Sequence, residues 1–379
     1  MLESLKNLPL PLEQIPAAAQ KPLNPEAPKP LKMMAAKGAL PIPPDTMLLV
    51  WYQLSFDADP EISAAIKETV NNFDPDLIVD LAAKDYPESV LDWLSKTSND
   101  PRVYEKIALN NKTHDATLMD LAAFAPREIV EIIANNHVRI LRSPEIIEKI
   151  YSNPASRMAT IDRLLALAKE HDIVIPGLKA IQDALNEPIP NDVPGLTDEE
   201  FEAVMVETVQ AAATEKQEGL ENLHVQSIEE QEAAESVEQK ERRLTRSQII
   251  ERMNAPQRMR LAMLGTREDR NILIRDSRRV VYMSVIQSPK ISLGEVSSFA
   301  TSKSMPDEVI SYIAGRRDWV RYYPVVVSLV NNPKCPLADS VGFIKQLRPN
   351  DLKALQKSKS VPTQLARQAQ MLYRQKSMK

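Results

Sequence analysis

Cysteine, glycine and aromatic residues are scarce in this sequence. The single cysteine, Cys335, excludes an internal disulfide and any cluster of cysteine ligands for a metal. Eight glycines and 5% aromatic residues in 379 are few for a large sheet with many tight turns. No run approaches the roughly 18 apolar residues of a membrane span, and no basic stretch with an apolar core follows the first methionine. We therefore expect a helical, cytoplasmic protein without a membrane span.

Charge is divided unevenly along the chain. The whole sequence has a net charge of −5, but from Glu241 to the end there are 26 Lys and Arg against 11 Asp and Glu, a balance of +15. The first 240 residues are correspondingly acidic. Such a difference between two regions predicts charged partners or self-association, and it does not predict a fold.

Composition divides the chain into four predicted segments. Residues 1–47 are rich in Pro, Leu and Ala without a helical period, which predicts a disordered arm or, alternatively, a docking peptide. Residues 48–186 and 241–379 show apolar residues at spacings of three and four, which predicts an N-terminal and a basic C-terminal helical-repeat domain. Residues 187–240 are predicted as an acidic, disordered linker, except that 196–213 has the pattern of a transient or docking helix.

Proline and asparagine mark the predicted helix boundaries. Proline beside an acidic residue, as after Asp59 and Asp100, predicts a capped helix start. Asparagine closes several apolar stretches, in IALNN at 107–111, IIANN at 132–136, IYSNP at 150–154 and VNNP at 330–333. Because asparagine tolerates the left-handed backbone that ends many helices, we expect that conformation at these positions. The predicted fold class is all-α.

A short phrase occurs twice near the C-terminus. SVIQSPKISL at 284–293 returns as SLVNNPKCPL at 328–337, which is 44 positions later. A second shared phrase, SKSMP and then SKSVP, follows after 18 positions in the first copy and after 30 in the second. Self-similarity at this spacing is typical of helical repeats, in which each unit covers the apolar face of its neighbour. The longer second interval predicts an extra turn or helix within 347–355.

This pattern resembles the bacterial leucine-rich-repeat-variant and HEAT-like families. The matching positions are Asn331, Asn332, Pro333, Lys334, Pro336 and Leu337, with Ser288, Pro289, Lys290 and Leu293 in the preceding copy. The resemblance implies an α-solenoid of stacked antiparallel helices, in two blocks, that binds other macromolecules. The irregular unit length departs from these families. Some of their members bind an iron–sulfur centre through a cysteine cluster, which has no counterpart here because Cys335 is alone.

Catalytic chemistry is not indicated by the titratable residues. The four histidines, His114, His137, His171 and His224, lack the helical pairing of a zinc site and are expected to be surface or cap residues. Cys335 is expected to be a small buried residue. Glycine-rich phosphate-binding motifs do not occur. We therefore expect no enzyme, no bound cofactor and no metal site.

One basic and aromatic cluster stands out above this background. Arginine supplies fixed positive charge, and aromatic rings supply flat surfaces on which bases or guanidinium groups stack. The candidate anionic-ligand or partner surface comprises Arg275, Arg278, Arg279, Arg316, Arg317, Trp319, Arg321, Tyr322 and Tyr323. In the alternative interpretation, Trp319 and Tyr322 anchor the packing between repeats and the arginines lie at the rim.

The sequence thus predicts a non-catalytic protein-binding module or scaffold with an unidentified protein partner. The alternative is a helical-repeat protein that binds nucleic acid or another polyanion through the basic C-terminal domain. A further expectation is an intramolecular contact in which the acidic linker covers the basic domain.

Overall fold

The computed structural model consists of α-helices joined by short turns, and it describes residues 7–185, 193–218, 245–358 and 360–377. The predicted all-α class is confirmed, since these residues contain helices and no strand. The chain divides into two compact units, Met1–Gln182 and Asp183–Lys379. None of the helices in the described ranges combines the length and the apolar character needed to cross a bilayer.

Short helices follow one another through the first unit. They are α1 Lys29–Ala36, α2 Pro44–Leu54, α3 Pro60–Asn72, α4 Pro75–Ala82, α5 Glu88–Thr97, α6 Pro101–Leu109, α7 Asp115–Phe124, α8 Arg127–Asn135, α9 His137–Arg142, α10 Glu145–Ser152 and α11 Met158–Glu170; α12 Lys179–Leu185 follows. Helix α6 contacts α4 and α8, whereas α7 contacts α5 and α10. As predicted, Asp59 and Asp100 cap α3 and α6 by accepting a backbone N–H.

The proline-rich segment is ordered from residue 7 onward, which corrects the predicted disordered arm. It contains three 3₁₀ turns, Leu12–Gln14, Ala17–Ala19 and Lys21–Leu23, and the helix α1. The indole Nε1 of Trp51 donates to the carbonyl of Ala35 at 3.0 Å, and the Tyr52 hydroxyl donates to the carbonyl of Leu8 at 2.7 Å. The absence of a helical period did not indicate disorder here. Proline fixes φ at values that suit short turns, and these turns pack against α2.

The second unit has the same kind of short helices. They are α13 Asp198–Glu218, α14 245–251, α15 Ala255–Leu264, α16 Arg267–Leu273, α17 Arg279–Ile286, α18 Leu293–Thr301, α19 Asp307–Gly315, α20 Tyr323–Asn331, α21 Leu337–Phe343, α22 Pro349–Leu355 and α23 Thr363–Ser377. Helix α17 contacts α15 and α19, while α20 contacts α18. The extra helix expected between the second pair of shared phrases is confirmed as α22.

Part of the predicted acidic linker folds as α13 and packs against α15. Phe201 and Met205 are 2% and 0% exposed on the buried face of α13. Ahead of this helix, the Gln257 side chain accepts from the N–H of Leu196 at 2.9 Å and donates to its carbonyl at 2.8 Å. The helical pattern noted at 196–213 is therefore confirmed as a folded helix, and the prediction of disorder is corrected for the flanking residues 193–195 and 214–218. The rest of the predicted linker, 187–192 and 219–240, lies outside the described residues.

Asparagine ends the helices for a different reason from the one predicted. Asn110, Asn153 and Asn332 have φ of −73°, −80° and −87°, so none is left-handed. Instead, each side-chain amide donates to two backbone carbonyls at the end of an earlier helix: Asn110 to Ala82 and Lys84, Asn153 to Ala122 and Ala125, and Asn332 to Ala300 and Ser302, all within 2.7–3.2 Å. Carbonyls at helix ends lack an intrahelical partner, so this asparagine bridge satisfies them and joins two helices.

The repeated phrase occupies a matching junction in both copies. The first copy runs from the end of α17 into α18, and the second from the end of α20 into α21. Lys290 Nζ donates to the carbonyl of Leu264 at 2.7 Å, and Lys334 Nζ donates to that of Met305 at 2.6 Å. The lysine shared by the two copies therefore satisfies an earlier backbone carbonyl, at the end of α15 in the first copy and in the turn after α18 in the second.

Candidate arginine-aromatic surface

The candidate residues centre on the loop 316–322, which connects α19 to α20. Arg316, Arg317 and Arg321 are exposed in this loop, and Tyr322 is 49% exposed. No ion pair joins any of these three arginines to another residue of the described ranges. The loop therefore presents positive charge that the fold does not neutralise by a direct carboxylate contact.

Arg316 stacks on two aromatic rings. Its guanidinium carbon lies 5.4 Å from the ring centroid of Trp319 and 5.8 Å from that of Tyr312. The two rings are 6.0 Å apart at an interplanar angle of 60°. Cation–π contacts of this kind contribute roughly 0.5–1 kcal/mol at exposed sites. They use the flat face of the guanidinium, whose N–H donors lie in its plane.

A second stack forms at the start of α20, between Tyr323 and Arg348. The guanidinium carbon of Arg348 lies 4.5 Å from the Tyr323 ring centroid. The Tyr323 hydroxyl accepts the backbone N–H of Arg348 at 2.9 Å and donates to the carboxylate of Asp351. Burial and the hydrogen bond to Asp351 raise the pKa of Tyr323. Tyr323 therefore belongs to the contact with α22 and presents Arg348 to the surface.

Sequence reasoning missed two members of this surface. Tyr312 lies four residues before Arg316, a spacing that places side chains together on a helix, so the sequence did carry a signal for it. Arg348 lies 25 residues after Tyr323, and no local spacing predicts that contact. Only the packing of α20 and α22 reveals it.

Arg279, another predicted member, is engaged in packing. Its guanidinium Nε donates to the Glu308 carboxylate at 2.6 Å, and the Tyr282 hydroxyl donates to the same carboxylate at 3.3 Å. These contacts join α17 to α19. Arg278 lies half-buried at the N-terminus of α17, and its backbone N–H donates to the Asp276 carboxylate at 2.8 Å. Arg275, three residues earlier, is exposed. The predicted nine-residue cluster thus divides between the loop and the start of α17.

Histidine and cysteine take structural positions in the described ranges. His114 Nδ1 accepts the N–H of Ala116 at 3.1 Å and caps α7, as predicted. His137 and His171 are exposed, and His224 lies outside the described residues. Burial raises the pKa of the Cys335 thiol, which disfavours the reactive thiolate. Among the described residues, no group of three His, Cys, Asp or Glu side chains is arranged to hold a metal.

Several buried charged groups form ion pairs between helices. Asp115 accepts from Arg142 at 2.6 Å and from the Ser143 hydroxyl at 2.7 Å, and Arg139 lies at 3.2 Å. Burial alone raises the pKa of Asp115, but these hydrogen bonds and charges outweigh it and hold the pKa below its usual value. In the second unit, Arg270 and Glu295 form a buried pair at 2.6 Å. These groups hold helices together.

The acidic segment touches the basic domain at a different place from the loop. On α13, Glu200 Oε1 lies 2.9 Å from Arg252 Nη2. Arg246 contacts the Thr208 hydroxyl and also pairs with Asp269 at 2.6 Å. The described part of the predicted linker therefore engages arginines near the start of the basic region.

Comparison with known proteins identifies no relative of this chain. Family models, curated proteins and solved structures all give no match to the chain.

Proposed function

We propose that the chain is a non-catalytic protein-binding module built from helical repeats. The observation that carries this proposal is the exposed loop 316–322, in which Arg316 is held on Trp319 and Tyr312 beside two further exposed arginines. Tryptophan, tyrosine and arginine are the residue types most enriched among the energetically dominant positions of protein interfaces. Buried charged groups such as Asp115 and Arg270, in contrast, form ion pairs between helices and are not available to a partner.

We propose an α-solenoid arrangement for both units, which would suit this role. Contacts between alternate helices, such as α6 with α4 and α8, are the kind that stacked helical repeats make. The asparagine bridge recurs at Asn110, Asn153 and Asn332, which supports a common repeat in both units. We also place the protein in the cytoplasm, since a single buried cysteine suits a reducing compartment.

Polyanion binding is the second candidate, and one observation favours it. From Arg316 to the end, 13 Lys and Arg face only three Asp and Glu. Binding of single-stranded nucleic acid also uses free aromatic faces for base stacking. Arginines lie over one face each of Trp319 and Tyr323, which leaves Tyr322, 49% exposed, as the open ring of the loop. The protein-binding function is therefore the better supported of the two.

Recovery of the tagged full-length protein from its native lysate, with and without nuclease, tests the choice. We expect a protein in stoichiometric amount that survives nuclease treatment. Loss of every companion on nuclease treatment would contradict protein binding and favour nucleic acid.

A further inference from the structure

We propose that the loop 316–322 and Arg348 form a docking surface for a carboxylate-rich segment of a partner protein. This inference rests on the proposed protein-binding function and adds the chemistry of the partner. The surface, called here the arginine surface, comprises Arg316, Arg317, Arg321 and Arg348 with the rings of Tyr312, Trp319 and Tyr323.

The two stacks hold guanidinium groups in place on the folded chain. Arg316 lies on Trp319 and Tyr312, and Arg348 lies on Tyr323. An arginine held on a ring loses less side-chain freedom when it binds, while its planar N–H fork still matches a carboxylate. Arg317 and Arg321 lie along the chain between the two stacks and add two further forks.

The nearby acids of the described ranges, which include the exposed Asp318 of the loop itself, form no ion pair with these arginines. Glu308 is engaged by Arg279 and Tyr282, and Asp351 accepts from the Tyr323 hydroxyl. Within the described part of the chain, no ion pair reaches the four arginines of the arginine surface. A partner with several carboxylates would complement this excess of positive charge, and the association would weaken with salt.

The aromatic rings distinguish a carboxylate-rich peptide from nucleic acid. Base stacking needs an open ring face, but Arg316 lies over one face of Trp319, Tyr312 meets Trp319 at its edge, and Arg348 lies over one face of Tyr323. Among the rings of the loop 316–322, Tyr322 is the exposed one that no arginine of the described ranges covers. A carboxylate needs only the N–H edges of the arginines. The rings therefore act as supports for the arginines.

Fluorescence anisotropy of a labelled decaglutamate peptide with the full-length protein tests this surface. We expect the double variant Arg317→Ala/Arg321→Ala to bind the peptide at least tenfold more weakly than the wild type. The matched control Arg102→Ala/Arg163→Ala removes two exposed arginines from the first unit and is expected to bind like the wild type. Equal weakening in both variants would mean that only net charge matters, and the proposal would be wrong.

Two further measurements identify which kind of molecule occupies the arginine surface. An oligothymidylate of 20 nucleotides is expected to compete poorly with the peptide at equal charge concentration; tighter binding of the oligonucleotide would overturn the assignment in favour of nucleic acid. Deletion of residues 219–240 is expected to leave peptide affinity within twofold. A tenfold increase would show that the acidic segment of this chain, and not a partner, is the occupant.

The role of Trp319 as a positioning residue has its own test. Trp319→Ala keeps every charge but removes the support of Arg316, so we expect a several-fold loss of peptide affinity. Trp319→Phe keeps a ring and is expected to restore most of the affinity. If the two variants bind alike, the stack does not position Arg316.

Failure of this inference is distinguishable from failure of the proposed function. If a protein captured from the lysate binds the Arg317→Ala/Arg321→Ala variant as well as the wild type, the arginine surface is wrong and protein binding stands. If the lysate yields no protein that survives nuclease, the proposed function fails as well.

Discussion

The two units use the same helix junction but distribute charge differently. Asn153 in the first unit and Asn332 in the second bridge two carbonyls of an earlier helix in the same way. In the first unit, buried aspartates form ion pairs with neighbouring cations, as Asp115 does with Arg139 and Arg142. The end of the second unit has few acids, and arginines lie on aromatic rings instead. The shared junction organises the helices, whereas the local supply of acids decides which cations stay exposed.

The largest expected effect is loss of the buried aspartate in the first unit. Asp115→Ala leaves Arg139, which is 9% exposed, without its carboxylate. Removing one partner of a buried pair costs about 4 kcal/mol of unfolding free energy. Urea unfolding of the full-length protein, with hydrogen exchange to locate the change in α7 and α9, measures it. As a control, Asp76→Ala removes an exposed partner of Arg102 and should leave stability unchanged.

The contribution of α13 to the second unit gives the next largest effect. Phe201→Ala empties a site that is 2% exposed between α13 and α15, with Arg260 over the ring at 5.9 Å. We expect a loss of about 3 kcal/mol. Val206 on the same helix is 45% exposed, so Val206→Ala should have little effect. If both variants unfold at the same urea concentration as the wild type, α13 does not stabilise the second unit.

The shared junction is tested by matched asparagine substitutions in both units. Asn153→Ala and Asn332→Ala each leave two buried carbonyls without their donor, at a cost of about 2 kcal/mol. Asn331 is exposed and donates only to the Val327 carbonyl within its own helix, so Asn331→Ala should be nearly neutral. If Asn153→Ala and Asn332→Ala lose clearly different amounts of unfolding free energy, the junction does not contribute equally in the two units.

Lowering the pH is expected to have a smaller effect on the unfolding free energy. Because the folded pKa of Asp115 lies below its unfolded pKa of about 3.9, the carboxylate contributes its stability above that value. The contribution is lost as the pH falls toward the folded pKa. We therefore expect the stability difference between wild type and Asp115→Asn to shrink when urea unfolding is repeated from pH 6 down to pH 3. A difference that is independent of pH would contradict the ion-pair explanation.

The smallest effect on stability is expected at the arginine surface. Arg317 and Arg321 are exposed, and neither has an ion-pair partner in the described ranges. Arg317→Ala/Arg321→Ala should therefore unfold like the wild type in urea. A large loss of stability would mean that the loop is structural, as the packing alternative for Trp319 requires.

Local patterns predicted local structure well. The caps at Asp59 and Asp100 and the extra helix α22 are all present, because each depends on residues within one turn of the element. The proline-rich segment was missed because its order depends on contacts with α2. Helix α13 was anticipated from its local pattern, but its packing against α15 was not. The candidate surface was found only where its residues are adjacent in sequence.

The sequence alone determined the all-α class, the helix boundaries and the excess of arginine near the C-terminus, since composition and short-range spacing are sufficient for these. The tertiary structure decided the use of each polar group. It directs Asn332 to two distant carbonyls, pairs Arg279 with Glu308 and places Arg348 on Tyr323. Those partners lie some 25 to 32 positions apart, and only the packing of helix against helix selects one distant partner from the many that the chain contains.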